Sequence, residues 1–238
     1  MHYGELKTSD IANGTGVRTS LFVSGCTHRC HGCFQPATWD FEYGKEYTPE
    51  VEERIMESLK PPFVRGLSIL GGEPWEPSNQ RALIGLLRRV RRELPDKDVW
   101  AYSGYTWEEL TGDSRARCEV TDEMLSLVDV IVDGEYVESR RNIGLSFRGS
   151  ENQRILDVRA SLAEGRPVEL DLDRVRVQRS ALRARALLQE FHLHPVVLRG
   201  HVQMMEVGVI EPLFLLPYLR FELSSDVVAD LFEGPAGP

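Results

Sequence analysis

The sequence predicts an α/β fold built on a mainly parallel sheet, and three observations carry that prediction. Short apolar runs rich in β-formers alternate with amphipathic stretches, the strand–loop–helix rhythm of such folds. Four of the loops hold cysteine, or glycine beside a serine or an acid: Cys26 to Cys33, Gly71-Gly72-Glu73, Ser103-Gly104 and Asp133-Gly134. The length, 238 residues at 42% hydrophobic and 27% charged, suffices for one such domain with a core, or one domain and a small appendage. In parallel sheets ligands bind beyond the carboxyl ends of the strands, so the four loops should line one face.

The elements follow in order. Asn13-Gly14-Thr15-Gly16 marks a turn into a first strand, Thr19 to Ser24, and completes no phosphate-loop pattern. Thr48-Pro49-Glu50 opens a helix, with Thr as cap, Pro in the first turn and acids behind it; Pro61-Pro62 ends it after Leu59. Leu67 to Leu70 is a strand that runs into Gly71-Gly72-Glu73-Pro74. Asn79 to Leu94 has a helical apolar stripe, and its arginines 88, 89, 91 and 92 read as a solvated face near the negative end of the dipole. Val99 to Tyr102 is the next strand, and Thr106-Trp107-Glu108-Glu109 begins a helix as a capping box. A helix over Asp122–Leu127 and strands over Val128–Val132 and Ile155–Val158 complete the alternation.

Beyond about residue 162 the pattern changes. A helix over Arg179–Phe191, strands over Val196–Leu198, Val202–Val207 and Leu219–Leu223, and a last helix from Ser224 to Phe232 suggest a small α+β extension. The division is 1–160 for the main domain and 161–238 for the extension. His192, His194 and His201 lack cysteine or carboxylate companions at ligand spacing and read as structural.

A net charge of -9 argues against a general grip on nucleic acid or anionic membrane. Met1-His2-Tyr3-Gly4-Glu5 has no signal-peptide character, and no run approaches a membrane span. A cytoplasmic protein with reduced cysteines is expected.

Three of the four cysteines, Cys26, Cys30 and Cys33, stand as C-x3-C-x2-C on the loop leaving the first strand. Gathered thiolates suit soft metals and iron–sulfur clusters. Three thiolates on a four-iron cubane leave one iron open for a small ligand. A structural zinc completed by His28 or His31 is the alternative, although zinc motifs usually come as two separated pairs. A disulfide framework would leave an odd cysteine in the loop, with Cys118 far away and without a role. Trp39 and Phe41 could cover such a centre or be ordinary core. Gly71 and Gly72 would let a ligand approach the backbone, and Glu73 could meet an ammonium. Taken alone, that segment also reads as a tight turn.

The cysteine motif after a strand, with Gly71-Gly72-Glu73-Pro74 some forty residues later, resembles the radical S-adenosylmethionine superfamily. Within it, residues 1–158 resemble the activating proteins of anaerobic (class III) ribonucleoside-triphosphate reductase. Asn13-Gly14-Thr15-Gly16-Val17-Arg18 and Arg148-Gly149-Ser150-Glu151-Asn152-Gln153 narrow it to that family, supported by Ser103-Gly104-Tyr105 and Val132-Asp133-Gly134. The about eighty residues after the Asn-Gln segment resemble nothing in that family.

The resemblance implies a partial (β/α) barrel of the radical SAM type. It implies one 4Fe-4S cluster on Cys26, Cys30 and Cys33, with S-adenosyl-L-methionine on the fourth iron. Reductive cleavage would give a 5′-deoxyadenosyl radical that takes hydrogen from a glycine of the reductase. Gly71, Gly72 and Glu73 would hold the methionine ammonium; Gly32 and Phe34 would touch the adenine; Ser103 or Asp133 would reach the ribose or carboxylate. Arg18 and the 148–153 stretch would help dock the partner. A reductant such as flavodoxin or ferredoxin is implied as well. The rivals are an activator of pyruvate formate-lyase or another glycyl-radical enzyme, a radical enzyme acting on a small molecule, and a zinc-stabilised binding module.

Overall fold

The computed structural model describes residues 1–172, and the backbone of 193–198 and 201–206. Residues Met1–Leu170 form one compact unit and Asp171–Pro238 another. The first is a mixed α/β unit on a seven-stranded sheet. Its strands are β1 (His2–Asp10), β2 (Val17–Val23), β3 (Lys45–Glu46), β4 (Val64–Gly71), β5 (Asp98–Tyr102), β6 (Val130–Asp133) and β7 (Arg154–Asp157). They lie side by side as β3-β1-β2-β4-β5-β6-β7. The middle four, β2, β4, β5 and β6, are mutually parallel, while β1, β3 and β7 run antiparallel to their neighbours.

The helices are α1 (Pro49–Leu59), α2 (Pro77–Glu93), α3 (Trp107–Thr111), α4 (Thr121–Ser126) and α5 (Val158–Glu164). Prolines stand in the first turns of α1 and α2, where a missing N–H costs nothing. The expected capping box opens α3, with Thr106 and Glu109 each accepting from the other's backbone N–H. β1, β3 and α5 add three elements to those the sequence predicts.

Strand register sorts the side chains. Leu21, Ile69, Ala101 and Ile131 align across the parallel strands, are fully buried, and join one core cluster with Ile55 and Leu59 of α1 and Leu83 and Leu87 of α2. Their neighbours Ser20, Ser68 and Trp100, then Phe22, Leu70 and Tyr102, face the opposite side, because successive residues alternate. That second face is polar at its lower end. Arg18, fully buried, donates from Nε to Ser68 Oγ (2.7 Å), from Nη1 to Asp98 Oδ1 (2.6 Å) and from Nη2 to the Leu67 carbonyl (2.8 Å), with its guanidinium 5.4 Å from the Trp100 ring centroid. The 11–16 loop folds over it: Ser68 Oγ donates to the Asn13 carbonyl. Gly14, at φ 127°, approaches so closely that a Cβ there would lie 2.8 Å from Arg18 Cδ and 3.0 Å from Trp100. Arg18 is thus internal framework. The expected docking role is corrected, since all its donor groups face the interior.

In the second unit, β8 (Leu193–Leu198) and β9 (His201–Glu206) pair antiparallel, in keeping with the strands expected there. The expected helices over 179–191 and 224–232, the strand over 219–223, and His192 lie outside the described residues. Among the described residues no helix is long and apolar enough to cross a membrane.

Candidate active site

The cysteine loop leaves β2 through Gly25, whose φ of 92° turns the chain sharply. It is tied down from several sides. Gly25 N–H donates to the Thr38 carbonyl (2.8 Å), and the Gly25 carbonyl accepts from Glu73 N–H (2.8 Å). Gly72 N–H donates to the Val23 carbonyl (2.7 Å). The Asn79 amide, in the first turn of α2, donates to the carbonyls of Ser24 and Glu73, both at 2.9 Å. Glu76 accepts from the backbone N–H and the hydroxyl of Thr27. The paired glycines therefore have a reason in the fold itself. A Cβ on Gly71 would lie 2.7 Å from the Val23 carbonyl oxygen, and one on Gly72 2.6 Å from that of Gly25. Their close approach is to the neighbouring loop.

A cavity of about 680 Å³ opens at the carboxyl ends of the parallel strands, within the range of small-molecule sites. Cys26, Cys30, Cys33, Phe34, Gly71, Gly72, Glu73 and Ser103 all line it. The structure thus brings together eight of the ten residues singled out from the sequence. Two stand apart. Gly32 is exposed, at φ 73°, where a Cβ would strike the Glu138 side chain. Asp133 is buried beside a separate hollow; it accepts from Trp107 N–H (2.7 Å) and pairs with Arg154. Trp39 lines the cavity, whereas Phe41 packs over Gly25.

Glu73 is the buried charge of the site, 1% exposed. Its Oε1 accepts from Trp75 N–H (3.0 Å) and the Ser103 hydroxyl (3.1 Å); its Oε2 accepts from Gly104 N–H (2.7 Å). His28, between the first two cysteines, places Nε2 3.0 Å from Glu73 Oε2 and Nδ1 2.6 Å from Glu135 Oε1. Burial pulls the His28 imidazole down, but the two carboxylates outweigh it and hold it above its ordinary value. His31 instead lies exposed at the surface, 2.7 Å from Glu138. Glu76 was not singled out from the sequence, and His28 only as a possible zinc ligand, because their partners are dozens of residues away.

The donor set can be tested against a cluster. Burial, with the nearby Glu73 charge, pushes the Cys26 thiol up to about 12, and burial also raises Cys30. Unmetallated, these thiols stay protonated and unreactive at neutral pH. Iron binding must displace their protons, as coordination of thiolates does. Among the described residues no three His, Cys, Asp or Glu side chains are grouped to hold a single metal ion. A cubane takes each thiolate on a different iron, so its sulfurs need not meet at a point. Three half-buried thiols on one short loop, lining a cavity with a buried carboxylate, fit that group.

Comparison with known proteins agrees. Residues 12–156 match the family described as "4Fe-4S single cluster domain". The anaerobic ribonucleoside-triphosphate reductase-activating protein of Vibrio cholerae serotype O1 is 42% identical over 155 residues, 64% of this chain and 96% of that protein. Its namesake in Escherichia coli K12 is 38% identical over 155 residues, with the same coverage. That of Enterobacteria phage T4 is 35% identical over 155 residues, 65% of this chain and 93% of the phage protein. At these identities, over nearly the whole length of the relatives, the chain belongs to the family of anaerobic ribonucleoside-triphosphate reductase-activating proteins.

Proposed function

We propose that the protein is a radical S-adenosylmethionine activase that generates the glycyl radical of an anaerobic ribonucleoside-triphosphate reductase. The observation that carries the reading is the convergence of Cys26, Cys30, Cys33, Glu73 and Ser103 on one cavity, in a chain of this family. When bound, a reduced 4Fe-4S cluster supplies the electron that cleaves S-adenosylmethionine to methionine and the radical that takes hydrogen from glycine. Cys26, Cys30 and Cys33 would hold the cluster. Glu73 supplies a buried negative charge for the methionine ammonium, held in place by Ser103 and Gly104. Arg148 lines the cavity with its Nη1 anchored on the Gln153 carbonyl, which leaves a positive charge for a carboxylate. Phe34 stacks near Tyr136, with ring centroids 5.1 Å apart, and offers an apolar surface to the adenine.

The proposal extends to four further features. The parallel strands would curve as a partial (β/α) barrel around the cavity. The reductase would dock over the rim, where Phe34 and Ile143 are 70% and 91% exposed, and so keep water from the radical. A cytoplasmic flavodoxin or ferredoxin would supply the electron. The second unit would form an extension added to the activase domain, with the division placed after Leu170 rather than the expected 160, because α5 spans that point and Leu170 pairs with β7.

Anaerobic reconstitution with iron and sulfide, then dithionite reduction with S-adenosylmethionine, tests the proposal through 5′-deoxyadenosine. Product is expected from the wild type, and none from Cys30→Ala. Glu73→Ala should keep its iron but bind S-adenosylmethionine more weakly. Zinc in place of iron, or product formation by Cys30→Ala, defeats it.

A further inference from the structure

Tyr102 closes β5 and has had no role so far. The register sets it in one row with Phe22 and Leu70, and all three line the cavity. Its hydroxyl is buried and, among the described residues, has no hydrogen-bond partner. Such a group is uncommon in a folded protein and calls for an explanation. The other buried orphans differ: Arg65, Trp75, Tyr105 and Asn152 do not line the cavity, His28 Nε2 faces Glu73, and Arg148, which does line it, is anchored through Nη1 on the Gln153 carbonyl. Burial holds the Tyr102 phenol well above its ordinary pKa, so it is a neutral donor.

The surroundings choose its acceptor. Arg18 and Asp10 carry the nearby charges, and both are engaged within the framework: Asp10 accepts from Ala12 N–H, the Asn13 amide and the Ser20 hydroxyl. Phe22 and Leu70 make the row of Tyr102 apolar, and Phe147, packed edge-on to Trp100 at 5.4 Å, lines the same cavity. One neutral donor in an apolar surface suits an uncharged carbonyl. A carboxylate would be poorly solvated there. The groups fitted to a charged amino-acid end, Glu73 and Ser103, cluster at the strand ends beyond Tyr102.

We propose that the Tyr102 hydroxyl donates a hydrogen bond to a backbone carbonyl of the glycine-bearing polypeptide and so positions that glycine in the cavity. The inference rests on the activase reading above. A glycine has no side chain to hold its backbone off the floor, which makes such close approach possible.

Tyr102→Phe removes only the oxygen. Three measurements on the full chain decide. Uncoupled 5′-deoxyadenosine formation, without reductase, should stay within about twofold of wild type, because the cofactor contacts are untouched. The reductase concentration that half-saturates glycyl-radical formation, read by electron paramagnetic resonance, should rise roughly three- to tenfold, the effect of one neutral hydrogen bond. Calorimetric titration of the cluster-free chain with a synthetic peptide spanning the reductase glycine should weaken by a similar factor. A matching fall in uncoupled cleavage would assign the hydroxyl to S-adenosylmethionine and overturn the proposal. Unchanged half-saturation and peptide affinity would overturn it too. A wild type with no uncoupled cleavage would instead sink the activase reading on which it stands.

Discussion

Arg18 sits in a glycine-rich segment that the sequence associates with partner docking, yet its guanidinium reaches only inward. Three of its acceptors are Ser68 Oγ, Asp98 Oδ1 and a main-chain carbonyl, each within 2.8 Å. Its burial pulls the guanidinium's pKa down, but Asp98 opposes that shift. Removing the charge would take from a largely buried carboxylate its closest ion pair among the described residues, while Arg65 stays 2.8 Å away. Arg18→Met should therefore destabilise the fold by about 3 kcal/mol, at the low end for a broken buried pair. Chemical denaturation would show it. Reductase binding by the folded fraction should be unchanged; a selective loss of binding at full stability would restore the docking role. Asp133 makes a similar point, because its position at a strand end is right for a ligand while its carboxylate is occupied by Arg154 and α3.

At the scale of elements, local chemistry was legible and distant pairing was not. The capping box of α3 could be read from Thr106 and Glu109 because both partners lie within one turn. Thr106→Ala should cost about 1 kcal/mol, a typical price for a lost cap, with a fall in melting temperature as its readout. α1 announced itself through Thr48 and Pro49. β1 did not: of its nine residues only Tyr3 and Asp10 are buried, so no apolar alternation marks it, and its pairing with β2 fixes it instead. α5 was hidden by its length, seven residues with only Val158 and Ser161 buried; Asp157 caps it and Gly165, at φ 66°, follows it. The site divides the same way. Thiols at close spacing and paired glycines are visible locally. The Glu73–His28–Glu135 chain, Glu76 on Thr27, and the empty-handed Tyr102 hydroxyl depend on contacts between segments far apart in sequence.

For the whole molecule, the first unit carries every residue assigned to the site, and its boundary is physical. Val168 and Leu170 pair with β7, through Asp157 N–H on the Val168 carbonyl (2.9 Å) and Leu170 N–H on the Ile155 carbonyl (2.8 Å). A chain ending at Leu172 should stay soluble, take up iron and cleave S-adenosylmethionine at a rate within about twofold of the full chain, since every residue assigned to the site lies within it. Aggregation of that fragment, or an apo protein that refuses iron, would show that the second unit completes the first. The tie between the cysteine loop and the glycine turn has a further consequence. Gly72 N–H on Val23 and Glu73 N–H on Gly25 fasten the glycine turn to the cysteine loop by main-chain bonds that no side-chain change can edit. In genetic terms the two loops are a single locus of selection. A displacement caused by a substitution in one is passed to the other, so second-site suppressors of a damaged Gly71-Gly72 turn should map to residues 23–27 and to the Glu76 and Asn79 anchors, rather than to the helices behind the sheet.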